Sequence, residues 1–495
     1  MGNQKDNILQ LFDGIDKKEL KSINDFVNSP FYNKSKRLSD FFALIYKNYD
    51  VYKANGLSKK ELAKKLYPGE SYSKKTDEKI RKLLSDFGKL LDTYLITVKF
   101  MGNNDRMSLA LIKTLRERGA EDRFKKKLND LTKKLEKVKY KDEKHYKLES
   151  ELVEEELKME FADKMLKYSE TDQRASDTND HGFILTKLRT FNSMWTKQYY
   201  NKEKLDYVWS FYDAIKKYIE DNYQEVKINH PSIFLEYMTL KLFKYDDLND
   251  FKEMKEFILK YSDIIPRTEY SDHSWNIISY ASLMVNKGYI EYRKEVLEIL
   301  KKLDLKDAIV NDEDLLPSEF KLAVDISIAE RDLEWTGYFI KKYRGKIKKE
   351  YSNGLVNLSL AKLNFYANNF SKAKSYQEKV EYNDYIHYFD AKMLLAKIEF
   401  ELRNFGNVLN SVETLKKFIK SHSELPDVYI KTYERFSVDV LQLIKLYENK
   451  FLGKDITVDR DIFIKNFNSN KHFIYSKDWF LEKIKLLKKE PELIS

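Results

Sequence analysis

The chain has 495 residues, with 90 basic and 80 acidic side chains for a formal charge of +10, and it contains 14 Gly, 7 Pro and no Cys. The length exceeds one compact core, so about two to four domains or one extended array are expected. The lack of cysteine excludes disulfides, thiolate metal sites, iron–sulfur clusters and cysteine nucleophiles. Average usage would supply roughly 35 Gly and 25 Pro; with both so scarce, long helices and few tight β-turns are expected. A charge of +10 spread over so large a surface reads as a Lys-rich solvated exterior with only mild attraction for nucleic acid or anionic lipid.

Residues 1–103 read as a helical unit of their own. Ile8, Leu9, Leu11 and Phe12 open it, and Leu20, Ile23, Phe26 and Val27 continue at helical spacing. Asn28-Ser29-Pro30 stops that helix, and Leu38, Phe41, Phe42, Leu44 and Ile45 mark the next. Ser58 and Glu61 form a capping box for a short helix that Pro68-Gly69 ends. A long helix is expected over 73–100.

Residues 104–181 read as a helical hairpin and linker. Phe124, Leu128, Leu131, Leu135 and Val138 step by four and three along a seam that suits a helix packed in a hairpin. Another helix is expected near 142–168. The polar interval 170–182 (ETDQRASDTNDHG) reads as a loop and boundary. Residues 182–425 read as a helical-repeat array with hairpins at 183–222, 231–262, 272–304, 318–350, 353–380 and 386–421. Residues 426–495 form a closing helical cap, with Trp479, Phe480, Ile484 and Leu486 in its last helix.

Two segments of the array repeat one another. LAKLNFYANNFSKA (360–373) and LAKIEFELRNFGNV (395–408) lie 35 residues apart, close to the period of a helix–turn–helix repeat. Leu360, Ala361, Lys362, Phe365, Asn369 and Phe370 recur as Leu395, Ala396, Lys397, Phe400, Asn404 and Phe405. The small Ala admits a neighbouring helix while the Leu beside it fills a groove. Asn369 and Asn404 stand where a left-handed backbone or a helix cap is wanted, and the small residue Ala373 becomes Val408. A thinner copy lies upstream at Ala323, Asp332-Leu333 and Thr336.

This pattern resembles the tetratricopeptide repeat over 353–422. It departs in having Asn357 where an early Trp is usual, Asn368 or Arg403 where Gly is usual, and no closing Pro. The resemblance implies an all-α fold, an α-solenoid of stacked helical hairpins with an N-terminal helical unit. It also implies a concave groove lined by the first helices, where another protein's peptide or helix binds. Lys362, Phe365, Lys397 and Phe400 would face that groove, and the protein would be an intracellular interaction scaffold.

LSKKELAKKLYPG followed by EKIRKLLSDFGKLL resembles the helix–turn–helix of winged-helix transcriptional activators through Leu57, Ser58, Glu61, Leu62, Pro68 and Arg81. That resemblance implies an alternative function, DNA binding through residues 57–95, with Lys74, Lys75, Lys79, Arg81, Lys82 and Lys89 facing phosphates or base edges.

No catalytic motif emerges. The histidines at 145, 181, 230, 273, 387, 422 and 472 are scattered, without a second His at metal-ligand spacing. Phosphate-loop, dinucleotide and nucleophile-elbow glycine patterns are missing. Asp455, Asp459 and Asp461 read as helix caps and solvated charge. No enzyme activity, cofactor or metal is expected, although a carboxylate pair built from distant helices would escape a sequence reading. Without a signal pattern or an apolar run near 18 residues, a cytoplasmic protein is expected, with no membrane partner.

Overall fold

The computed structural model describes residues 8–162, 170–200, 206–310, 314–381, 385–422, 427–468 and 476–487. Among these residues the fold is all-α, and the single β-type pairing is an isolated parallel bridge between Leu315 and Ile347. No helix among them is long and apolar enough to cross a membrane. Two compact units emerge, residues 1–187 with 215–218, and residues 188–214 with 219–495.

In the first unit, helices Leu20–Val27, Lys36–Lys47, Tyr49–Asn55, Lys59–Leu66 and Lys74–Met101 enclose one apolar core. Phe87 sits at its centre, edge-on to Phe41 at 4.9 Å and stacked on Phe42 at 5.7 Å. The Ser58–Glu61 capping box forms as read: the Ser58 amide donates to Glu61 Oε2 at 2.9 Å and the Glu61 amide to Ser58 Oγ at 3.3 Å. The Ser58 amide, joined by the Ser58 hydroxyl donating to the same Oε2 at 2.9 Å, favours the charged carboxylate and lowers its pKa. The long helix runs on to Met101, and no strand of this unit appears among the described residues, so the wing implied by the transcriptional-activator resemblance has no counterpart.

Helices Asn104–Glu117 and Glu121–Glu136 make the expected hairpin around Gly119, which takes a left-handed φ of +68°. Phe124, Leu131 and Leu135 are buried along its seam. Helix Glu143–Ala162 follows; the remainder of the expected helix, 163–168, lies outside the described residues.

The polar interval 170–182 is not a loop but the opening of a 31-residue helix, Glu170–Tyr200. Its polar side chains are satisfied laterally by helix Glu143–Ala162. Ser150 Oγ donates to Asn179 Oδ1 at 2.6 Å, Thr171 Oγ1 donates to Glu160 at 2.8 Å, and Arg174 pairs with Glu156. Gly182 lets the Tyr146 side chain approach to within 3.3 Å of where a Cβ would stand. A helix held by polar contacts leaves no apolar periodicity to read.

The second unit holds hairpins Pro231–Tyr245/Leu248–Lys260, Arg267–Asn286/Tyr292–Leu305, Pro317–Ala329/Leu333–Tyr343, Lys349–Tyr366/Phe370–Gln377 and Tyr385–Glu401/Phe405–Ser421. Each first helix packs on its own second helix, and Pro231–Tyr245, Pro317–Ala329 and Lys349–Tyr366 also pack on the first helix of the next hairpin, whereas Pro317–Ala329 is reached from the hairpin before it through the second helix Tyr292–Leu305. Helices Asp427–Phe451, Thr457–Asn468 and Lys477–Leu486 close the chain. Asp455 accepts the Thr457 amide at 2.9 Å as a cap does.

The last three hairpin turns are one motif. Arg331, Asn368 and Arg403 have φ of 60°, 60° and 61°. The following amides reach back to the carbonyls of Ser327, Asn364 and Glu399 at 2.9, 2.8 and 2.9 Å, the Schellman closure of a helix. The left-handed residue is therefore Asn368 and not Asn369, whose φ is −92° and whose side chain makes no cap bond. Val324, Ala361 and Ala396 each stand seven residues before that turn residue and are all but fully buried. Thr336, Ala373 and Val408, five after it, are fully buried. Ring pairs repeat too, Phe365–Phe370 at 5.6 Å and Phe400–Phe405 at 5.3 Å.

Candidate functional site

Three helices each present one stripe of polar residues to a shared recess in the second unit, one of them through its C-terminal half, residues 188–200. Glu170–Tyr200 supplies Arg189, Asn192, Trp195 and Thr196; Pro231–Tyr245 supplies Glu236, Thr239 and Phe243; Arg267–Asn286 supplies Glu269, Asp272, His273 and Asn276. Spacings of three, four and seven residues place each set on one helix face. The recess encloses about 320 Å³.

Arg189 organises its floor. Nε donates to Glu236 Oε1 at 3.1 Å and Nη2 to Glu269 Oε1 at 2.6 Å, so one guanidinium joins carboxylates from two helices. Burial opposes the Arg189 charge, but Glu269 and Glu236 outweigh it and raise its pKa. Asn192 Nδ2 donates to Glu236 Oε2 at 2.8 Å and to the Glu236 carbonyl at 3.0 Å. Among the described residues lining the recess the carboxylates of Glu236, Glu269 and Asp272 outnumber the basic groups, Arg189 and His273, so the recess is electronegative. Burial first, reinforced by Glu269 and Glu236 and opposed by His273 and Arg189, lifts the Asp272 carboxyl above its ordinary range. Trp195 and Phe243, ring centroids 5.4 Å apart, form an aromatic wall.

His273 is buried at 2% exposure. Its Nδ1 lies 3.4 Å from Thr239 Oγ1, and that hydroxyl donates its proton to the Leu235 carbonyl at 2.9 Å. Thr239 is then the acceptor for Nδ1–H, and in the neutral ring Nε2 is the lone-pair nitrogen. Nε2 has no hydrogen-bond partner among the described residues, and Glu269 Oε2 stands 3.7 Å from it.

No family model, curated protein or solved structure matches this chain. The site therefore rests on its own geometry.

The residues expected on the groove lie elsewhere and are interior. Lys362, Phe365, Lys397 and Phe400 are 8%, 3%, 2% and 1% exposed. Lys362 Nζ donates to Asp325 at 2.6 Å and Asp390 at 2.7 Å. Lys321 completes the cluster, 3.0 Å from Asp390 and paired with Asp325. Lys397 donates to Ser476 at 2.8 Å and lies 4.8 Å from the Phe365 ring centroid. Both lysines bind hairpin to hairpin where the repeat pattern implied an open groove.

Of the residues implied for nucleic acid, Lys74, Lys75, Arg81, Lys82 and Lys89 are exposed on helix Lys74–Met101 and Lys79 is half-buried. Lys79 is held by Glu70 at 2.8 Å and Arg81 by Asp77 at 2.6 Å. The recess itself was hidden from sequence because Arg189 lies 47 and 80 residues from its partners. One signal was present: Glu269 and His273 are four residues apart, hence neighbours on one helix face.

Proposed function

We propose that the hairpins of the second unit form a tetratricopeptide-like solenoid and that the protein is an interaction scaffold, taking a peptide or helix of another protein along its first-helix face. The observation that carries this reading is the recess at Arg189, Glu236, Glu269 and His273, built from one stripe on each of three helices, two of them successive first helices of the hairpin series. A site set on packed helices keeps its shape without a partner, so less ordering entropy opposes binding. The repeated left-handed turns and the buried Ala361 and Ala396 support the solenoid. The interior position of Lys362, Phe365, Lys397 and Phe400 moves the contact surface toward residues 189–276.

The test is site-specific photo-crosslinking in cells. A photoreactive side chain at Asn276, on the recess wall, gives a discrete adduct with another protein. The same group at Lys302, exposed on a second helix, gives none. Equal labelling from both positions, or from neither, contradicts the reading.

A further inference from the structure

We infer that His273, Glu269 and Glu236 bind a divalent first-row transition cation. One ligand atom from each lies within 4.8 Å of the others. With Thr239 accepting Nδ1–H, the neutral His273 ring carries its lone pair on the buried Nε2, which has no hydrogen-bond partner among the described residues and lies 3.7 Å from a second acceptor, Glu269 Oε2. Two acceptors facing each other in a low-dielectric site repel, and a cation between them converts that repulsion into two bonds. An ion with bonds of about 2.0–2.2 Å to nitrogen and carboxylate oxygen needs its ligand atoms roughly 3.3 Å apart, so the His273–Glu269 separation is already near the required value.

Arg189 is compatible with this role. It occupies Glu269 Oε1, and the oxygen facing His273 is the other one, Oε2. Glu236 is oriented by Arg189 on Oε1 and by Asn192 on Oε2, each a carboxylate oxygen with a second lone pair. Thr239 and Arg189 thus play the outer parts that hold metal ligands in place. With Arg189 retained, Glu236, Glu269 and Asp272 leave the site net negative before a dication enters. One imidazole with two carboxylates suits zinc or manganese over softer ions. The inference stands on these side chains alone and does not depend on a partner protein.

The experiment is calorimetric titration of chelator-stripped, full-length protein with zinc chloride, in the absence of any partner. The wild type takes up one equivalent that both His273→Ala and Glu269→Gln lose or bind at least ~10-fold more weakly. His422→Ala, altering a histidine outside the recess, leaves that equivalent intact. Glu269→Gln keeps the shape of the side chain and still decides the matter should His273→Ala fail to fold. No uptake by the wild type, or uptake unchanged in the recess variants, overturns the inference and in the second case assigns zinc to surface side chains. Failure here leaves the crosslinking result standing, and failure of crosslinking leaves the zinc result standing.

Discussion

The Lys362 ammonium lies 2.7 Å from the Asp390 carboxylate, and that bond ties the first helix of one hairpin to the first helix of the next. Both side chains are 10% exposed, and Asp325 and Lys321 extend the pair into an alternating cluster across three successive first helices. Removing one charge from such a cluster strands a buried opposite charge. Lys362→Met is expected to lower folding stability by about 3 kcal/mol. Lys17→Met, which breaks an equally short pair with Asp50 whose side chains are 64% and 70% exposed, is expected to change it by less than about 0.5 kcal/mol. Urea denaturation of the two variants checks the contrast.

Gly354 and Gly406 should respond to alanine in opposite directions. A Cβ on Gly354 would stand 2.1 Å from the Glu381 carbonyl oxygen, a backbone atom that cannot swing aside. Gly354→Ala is expected to cost roughly 1–3 kcal/mol through overpacking. Gly406 lies in helix Phe405–Ser421 with nothing within 4 Å, so Gly406→Ala should stabilise by about 0.5–1 kcal/mol. Thermal denaturation distinguishes them by sign.

The turn residues give a finer contrast. Asn368 holds φ of 60° with a side chain that tolerates this backbone only in part, so Asn368→Gly should stabilise by about 0.5 kcal/mol. Arg403 holds the same backbone, but its guanidinium lies 4.9 Å from the Tyr447 ring centroid. Losing that contact offsets the relief, and Arg403→Gly is expected to be neutral within about 0.5 kcal/mol. Denaturation midpoints measured side by side decide whether the ring contact counts.

Acid sensitivity should trace in part to Glu399. Burial raises its pKa, but bonds from Lys374, Asn404 and Asn407 outweigh burial, so the carboxyl titrates below its ordinary value of 4.5. A depressed folded-state pKa contributes stability that is complete above 4.5 and is lost as pH falls through the folded value. Glu399→Gln is expected to cost about 2 kcal/mol at pH 7, from the loss of charge-assisted hydrogen bonds, and to flatten the decline in stability below pH 4.5. Stability measured as a function of pH in both proteins tests the sign.

The hairpins were legible in sequence wherever apolar residues recur at helical spacing, as at Phe124, Leu131 and Leu135, and the buried Ala361 and Ala396 stand where the repeat put them. What sequence misassigned was polar. The helix over 170–182 looked like a loop because Ser150, Glu156 and Glu160 satisfy it from the side. Lys362 was expected on an open groove because its partners Asp325 and Asp390 lie 37 and 28 residues away. His273 looked isolated because Glu236 comes from another helix. Apolar periodicity is a local signal, whereas pairing between charges is set by which helices meet.

All of this depends on small residues that let successive hairpins close on one another. Ala361→Leu and Ala396→Leu, followed by amide hydrogen exchange, test that packing most directly, with Ala54→Leu on the exposed side of helix Tyr49–Asn55 as control. The expected result is faster exchange in both hairpins, Lys349–Tyr366/Phe370–Gln377 and Tyr385–Glu401/Phe405–Ser421, for each core variant and no change for the control. Unchanged protection in the core variants would contradict the stacked-hairpin account.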